Sequence, residues 1–239
     1  MIRLNCLHNK INFNYVKMLV FDMAGTTVNE GGIVYDTLYK TMKNDKLDVQ
    51  REDIHKWHGS NKYEVLSYYF TKKYPINNIE LDAYGKAELF RKFDKNLKNN
   101  YFNSSNIKLM NSKMPDLFNK IRDKNIKIVL NTGYNKEIQE SIIDKLHMKE
   151  FIDDYISSEE VPFGRPHPYM IKNITEQHNI SPRNVIKIGD TFNDILEGLN
   201  ADCIASVGVL TGADNKITLE HLDSRAFIMN SIMDIEPLD

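Results

Sequence analysis

Apolar positions along the chain follow two rhythms. Four short, nearly unbroken apolar runs each end in a polar or glycine-containing turn: "YVKMLVFD" (15–22), "IKIVLNTG" (126–133), "VIKIGD" (185–190) and "CIASVGVL" (203–210). Runs of this length, rich in Val and Ile, predict strands buried on both faces of a parallel sheet. Between them apolar residues recur at helical spacing, as in "MPDLFNKIRDK" with Pro115 near its first turn, "KEIQESIIDKLH" and "HPYMIKNITEQHN". Strand alternating with helix predicts an α/β fold built on a doubly wound parallel sheet, Rossmann-like in layout.

Residues 33–104 break this rhythm. Aromatics and lysines at helical periods fill "IVYDTLYKTMKN", "KYEVLSYYFTKKY" and "LDAYGKAELFRKFDKNLKN", and no run there reads as a strand. The pattern predicts an all-α domain, residues 33–104, inserted into an α/β core made of residues 1–32 and 105–239. The charged stretch "RKFDKNLKNN" reads as a solvated helix face.

Composition and charge remove whole classes of function. A chain of 239 residues holds one large domain, or a core carrying a smaller insertion. A net charge of −2 gives no general attraction to nucleic acid or to an anionic membrane surface. The two cysteines, Cys6 and Cys203, lack metal-ligand spacing and suit a reducing cytoplasm. No apolar run approaches membrane-spanning length. The opening seventeen residues lack the apolar region and cleavage site of a secretory signal, and read as a short extension before the first strand, with Met18 as an alternative start. The expectation is a cytoplasmic protein acting on a small molecule, with neither nucleic acid nor membrane as partner.

Ligands of open α/β sheets bind at the carboxyl ends of the strands. Here "DMAGTT" puts Asp22 at the tip of the first strand, followed by Gly25, Thr26 and Thr27. "NTGY" offers the Thr132 hydroxyl and the backbone of Gly133 and Tyr134, and "GDTFND" sets Asp190 and Asp194 four residues apart. "FGRPHP" supplies Arg165. Three carboxylates, a guanidinium and a hydroxyl-bearing glycine turn are the inventory of a Mg²⁺-dependent phosphoryl-transfer site, because oxygen donors suit that ion. A carboxylate in such a site can itself attack phosphorus.

In order and in type these motifs resemble the haloacid dehalogenase superfamily, with a helical cap inserted after the first motif. The usual first motif of that superfamily is D-x-D-x-T, whose second aspartate protonates the leaving group; here that place is Ala24. The usual lysine of the third motif is replaced by Arg165. "DMAGTT", "NTGY", "GRPHP" and "GDTFND" together resemble the phosphonoacetaldehyde hydrolase branch. The resemblance implies Asp22 as nucleophile, and Asp22, Asp190 and the Ala24 carbonyl as ligands of Mg²⁺, with Asp194 supporting the metal's waters. It also implies Thr132 and Arg165 on the phosphoryl oxygens, Gly25, Thr26, Gly133 and Tyr134 around the substrate, and homodimers formed through the caps.

That branch also carries a cap lysine in a G-x-x-K stretch, which forms a Schiff base with the substrate aldehyde. Gly59 to Lys62 match it. An iminium accepts the electrons of a breaking C–P bond, so no general acid is needed at the leaving carbon, which agrees with Ala24. Such a lysine must be neutral to react. At the ordinary lysine pKa only about one amine in 2,500 is free at pH 7, so burial and a nearby cation are expected to lower it. Two departures leave the substrate open between phosphonoacetaldehyde and a larger 2-oxoalkylphosphonate. The branch's histidine three residues after the lysine is Val65 here, and its methionine four before is His58, a candidate proton shuttle or helix cap. The alternative is a phosphatase or phosphomutase of a small phosphorylated metabolite, with Lys62 as a plain anion contact.

Overall fold

The structure, a computed structural model, describes residues 2–4, 12–58, 60–75, 79–103, 107–219 and 223–237. Cys6 and Gly59 lie outside the described residues. The chain opens with strands β1 (Ile2–Leu4), β2 (Met18–Asp22) and β3 (Val28–Asn29). Three helices follow: α1 (Ile33–Asn44), α2 (Lys62–Lys73) and α3 (Ile79–Asn103). Next come β4 (Lys108–Leu109), α4 (Met114–Arg122), β5 (Lys127–Thr132), α5 (Lys136–Lys145), β6 (Asp154–Ser157) and α6 (Tyr169–Gln177). The remainder is β7 (Val185–Gly189), α7 (Phe192–Asn200), β8 (Ala205–Val209), α8 (Lys216–Leu219), β9 (Ala226–Met229) and β10 (Ile235–Pro237).

Six parallel strands form the main sheet in the order β6-β5-β2-β7-β8-β9. The chain builds outward from β2 through β5 to β6, then returns to add β7, β8 and β9 on the other side. The order therefore reverses around β2, which is where such sheets open a crevice at their carboxyl ends. The four strands expected from the sequence are β2, β5, β7 and β8, and three of them are buried at every position. The two strands that carried no strong pattern, β6 and β9, are the edges. An edge strand has one neighbour and is partly exposed, so its sequence need not be wholly apolar. Two short antiparallel pairs, β1 with β10 and β3 with β4, complete the strands.

The two-residue period of the strands divides the interior. Leu19, Phe21, Ile128, Leu130, Ile186 and Ile188 face one way, onto Phe118 and Ile121 of α4 and Ile142 of α5. Met18, Val20, Val129 and Val185 face the other way, onto Ile171 and Ile174 of α6 and onto Ala201 and Cys203. The same alternation carries the second face upward to Asp22, Asn131 and Lys187, where apolar packing gives way to charge. Between β3 and β4 the helices α1, α2 and α3 pack on one another, with Leu38, Met42, Val65, Leu66, Tyr69, Leu89, Phe93 and Leu97 buried. No described residue between 33 and 103 is in a strand. No helix among the described residues is long and apolar enough to cross a membrane.

Candidate active site

Asp22 is the last residue of β2 and is 5% exposed. The chain turns immediately after it: Thr27 Oγ1 donates to the Asp22 carbonyl, and the N–H groups of Thr26, Thr27 and Val28 converge on the Met23 carbonyl. Gly25 in this turn has φ +85°, and a Cβ there would run into the Asp190 carboxylate. Thr26 Oγ1 donates to Asp190 Oδ1 at 3.0 Å, and the Ala213 N–H donates to Oδ2 at 2.7 Å. Gly25 and Thr26 thus position Asp190; neither is among the residues lining the cavity described below.

Asp190 follows β7, and Asp194 sits in the first turn of α7, where it completes a capping box with Thr191. Asp22, Asp190 and Asp194 are buried and bring one carboxylate oxygen each within 4.8 Å of the others. Burial pushes Asp190 well above the ordinary carboxylate range, and repulsion from Asp22 and Asp194 pushes it further. Burial also raises Asp22, against the pull of Arg165. Burial acts on Asp194 too, but Arg165 and Lys187 outweigh it and hold that group below its ordinary value. Three crowded, buried, all-oxygen donors carrying excess negative charge fit a hard divalent cation.

Arg165, almost wholly buried, is pinned on every side. Its Nη1 lies 2.6 Å from Asp22 Oδ1 and 2.9 Å from Asp194 Oδ1, and its Nε lies 3.1 Å from Glu197 Oε2. Its Nη2 donates to the Asn131 carbonyl and Oδ1, both at 2.8 Å. The sequence placed this guanidinium on phosphoryl oxygens; in the structure it bonds the Asp22 carboxylate and also lines the cavity described below. Asp22 Oδ2 receives no hydrogen bond among the described residues.

Asn131, Lys187 and Glu197 carried no expectation. Lys187 is fully buried in mid-strand, with Nζ 2.7 Å from Asp194 Oδ1 and 2.8 Å from Asn131 Oδ1. Glu197 accepts both Asn131 Nδ2 bonds, at 3.0 and 2.9 Å. The signal was present: a lysine inside the otherwise apolar "VIKIG" needs a buried anion, which "NDILEG" supplies one helix later.

A cavity open to solvent lies above these groups, lined among others by Asp22, Ala24, Lys62, Thr132, Tyr134 and Arg165. Gly133 lines it as well. Lys62 is the first residue of α2, whose N-cap Asn61 accepts from the Tyr63 and Glu64 N–H groups. It is 5% exposed, and its Nζ donates to the Ser60 carbonyl at 2.7 Å and stands 4.7 Å from the centroid of the Tyr35 ring. Burial, and next the positive charge of Arg165, lower its pKa to about 8. The segment is moored to the core: Asn61 Nδ2 donates to Ser158 Oγ, and Asn193 Nδ2 donates to the His58 carbonyl at 2.6 Å and to Ser60 Oγ. His58 does not cap α2; its ring packs on Tyr35 at 4.4 Å, and its Nδ1 lies 3.6 Å from Asp214 Oδ1.

The sequence pattern of haloacid dehalogenase-like hydrolases matches residues 16–202, most of the chain. The chain belongs to the haloacid dehalogenase-like hydrolase family. It is 28% identical over 224 residues to phosphonoacetaldehyde hydrolase of Bacteroides fragilis, covering 88% of this chain and 82% of that protein. It is 29% identical over 217 residues to a bifunctional phosphonoacetaldehyde hydrolase/aminoethylphosphonate transaminase of Clostridioides difficile, covering 85% of this chain but only 33% of that relative. Among solved structures, a phosphonoacetaldehyde hydrolase-like protein from Oleispira antarctica superposes with a TM-score of 0.67 at 21% identity, covering 87% and 79% of the two chains. CbbY from Rhodobacter sphaeroides superposes at 0.69 and 14%, covering 90% and 94%. At these identities the superpositions establish the fold of this hydrolase.

Proposed function

We propose that this hydrolase cleaves the carbon–phosphorus bond of phosphonoacetaldehyde or a related 2-oxoalkylphosphonate. One observation carries the reading: a buried lysine whose pKa lies near 8 shares a single cavity with a buried strand-end aspartate. A plain anion-binding lysine gains nothing from a lowered pKa, whereas an imine-forming one must lose its proton before it reacts.

In this reading Lys62 Nζ adds to the substrate carbonyl and water leaves, giving an iminium. Asp22, held by Arg165 through Oδ1, attacks phosphorus with Oδ2. The C–P electrons pass into the iminium, so the carbon fragment departs as an enamine and Asp22 becomes an aspartyl phosphate. Water then hydrolyses the acyl phosphate, the enamine carbon takes a proton from water to give the iminium, and hydrolysis of that iminium frees Lys62 and releases acetaldehyde. Ala24 stands where the superfamily places its acid, and this route requires none there. Thr132 and the Gly133 turn receive phosphoryl oxygens, with Arg165 supplying positive charge from the side. Asp22, Asp190 and the Ala24 carbonyl, with Asp194 beside them, are the groups that would hold Mg²⁺, which supplies the charge neutralisation that lets an anion approach a phosphoryl group. Helices α1–α3 act as a cap over the site, and the Asn193 bridge is one latch of its closed form.

The test is release of acetaldehyde from phosphonoacetaldehyde in the presence of Mg²⁺, coupled to an alcohol dehydrogenase, for the parent and for Lys62→Arg. Activity confined to the parent is expected. Equal activity in both removes the imine route. Turnover of phosphate esters alone replaces the reading with a phosphatase or mutase.

A further inference from the structure

Glu30 is a buried carboxylate that the reaction above leaves unused. It lies just after β3, 5% exposed, and its Oε2 accepts hydrogen bonds from two phenols, Tyr134 at 2.5 Å and Tyr101. The two phenol oxygens are 2.9 Å apart. Tyr134 and Lys62 line the same cavity, and the phenol that Lys62 Nζ itself reaches is that of Tyr35, at 3.4 Å. At the position three residues after Lys62, where the resembling branch has its histidine, the wholly buried Val65 offers no proton. The groups acting on Glu30 are Tyr101 from α3, Tyr134 after β5, Lys62 at the start of α2 and Asp22 at the end of β2.

We propose that Glu30 and Tyr134 form a proton relay for imine formation at Lys62, an inference that rests on the phosphonatase reading. In the first stroke a Lys62 ammonium N–H bond breaks, its proton passes through one water in the shared cavity to the Tyr134 oxygen, and the Tyr134 proton passes to Glu30 Oε2. Lys62 is left as a neutral amine and Glu30 as a carboxylic acid. After the amine adds to the carbonyl, and its own proton moves from nitrogen to oxygen, the second stroke runs in reverse. Glu30 returns its proton through Tyr134 to the carbinolamine hydroxyl, the C–O bond breaks, and water departs. The products are the iminium, one water and the ionised Glu30, so charge and protons balance without an outside acid. Burial raises the Glu30 carboxyl above its ordinary value, although the two phenols and Lys62 draw it back, which suits a group that must take and return a proton. Tyr134 touches the cavity; Glu30 acts through it and is a positioning residue for the proton.

Glu30→Gln keeps the shape and removes the exchangeable charge, and Tyr134→Phe severs the link while leaving Glu30 in place. Each is mixed with phosphonoacetaldehyde and quenched with borohydride, and the rate of reduced adduct at Lys62 is followed by mass spectrometry, with KM measured alongside. Both variants are expected to form adduct about 10²-fold more slowly than the parent, with little change in KM and partial recovery in Glu30→Asp. A structural defect alone would instead move KM with the rate and gain nothing from the aspartate. Adduct formation at the parent rate in either variant overturns the relay and leaves the imine reading intact. A parent that forms no adduct overturns both. Should Glu30→Gln prove unfolded by its melting curve, Tyr134→Phe decides the question.

Discussion

Lys62 shows how much a single position depends on what surrounds it. Exposed, its amine would be almost wholly protonated near neutrality. Buried at the head of α2, with Arg165 across the cavity, its pKa falls to about 8, and about one amine in ten is neutral at pH 7. The sign follows from the chemistry: the neutral amine is the reactive form, so a lowered pKa shifts the rise of activity to lower pH. Borohydride trapping at Lys62 is expected to rise with pH and to level off above about 8. A rise that continues to the ordinary lysine range would show an unperturbed amine. The residue type and its distance from Asp22 along the chain were legible in advance. Its burial was not, because Tyr35 and Arg165 reach it from separate segments.

At the level of elements, β7 and α7 act as one unit. The strand presents Lys187 to the face where Asp22 and Asn131 also point, and the helix returns Asp194 and Glu197 to meet it. Removing one partner from such a buried network leaves the others uncompensated. Lys187→Met is therefore expected to destabilise the fold by about 3–5 kcal/mol, measured by denaturant unfolding, and adding Glu197→Gln is expected to recover part of the loss. A change within the range of surface substitutions would show that the network contributes nothing. The elements themselves followed closely from pattern: α1 spans the run read as helical from 33 to 44, and β2, β5, β7 and β8 fall inside the four apolar runs. The edge strands β6 and β9 carry no such run, because partial exposure relaxes the apolar pattern.

For the whole molecule, the crevice at the reversal of strand order gathers three carboxylates from two strand ends and one helix start. Their mutual repulsion opposes folding, and a divalent cation bound among them would relieve it. Mg²⁺ is expected to raise the melting temperature, by about 2.7 kcal/mol of stability at a hundredfold excess over its Kd, and Asp190→Asn is expected to abolish most of that increment. An identical Mg²⁺ response in parent and variant would place the ion elsewhere. The readout is thermal unfolding, so it does not depend on any assumed substrate.

Periodicity by itself determined the parallel α/β class and the helical stretch between the first two core strands, because apolar spacing reports local geometry directly. The strand-end motifs likewise determined which residues gather, since every parallel strand delivers its last residue to the same edge of the sheet. Only the tertiary structure decided what those residues bond to. Arg165, expected beside a phosphoryl group, lines the cavity and also clamps Asp22, Asp194 and Glu197, while Lys187 and Asn131 complete a buried ionic layer. Glu30 found two phenols from residues 71 and 104 positions away. The strength of a buried charge is set by its neighbours in space, and those distances do not exist until the chain has folded.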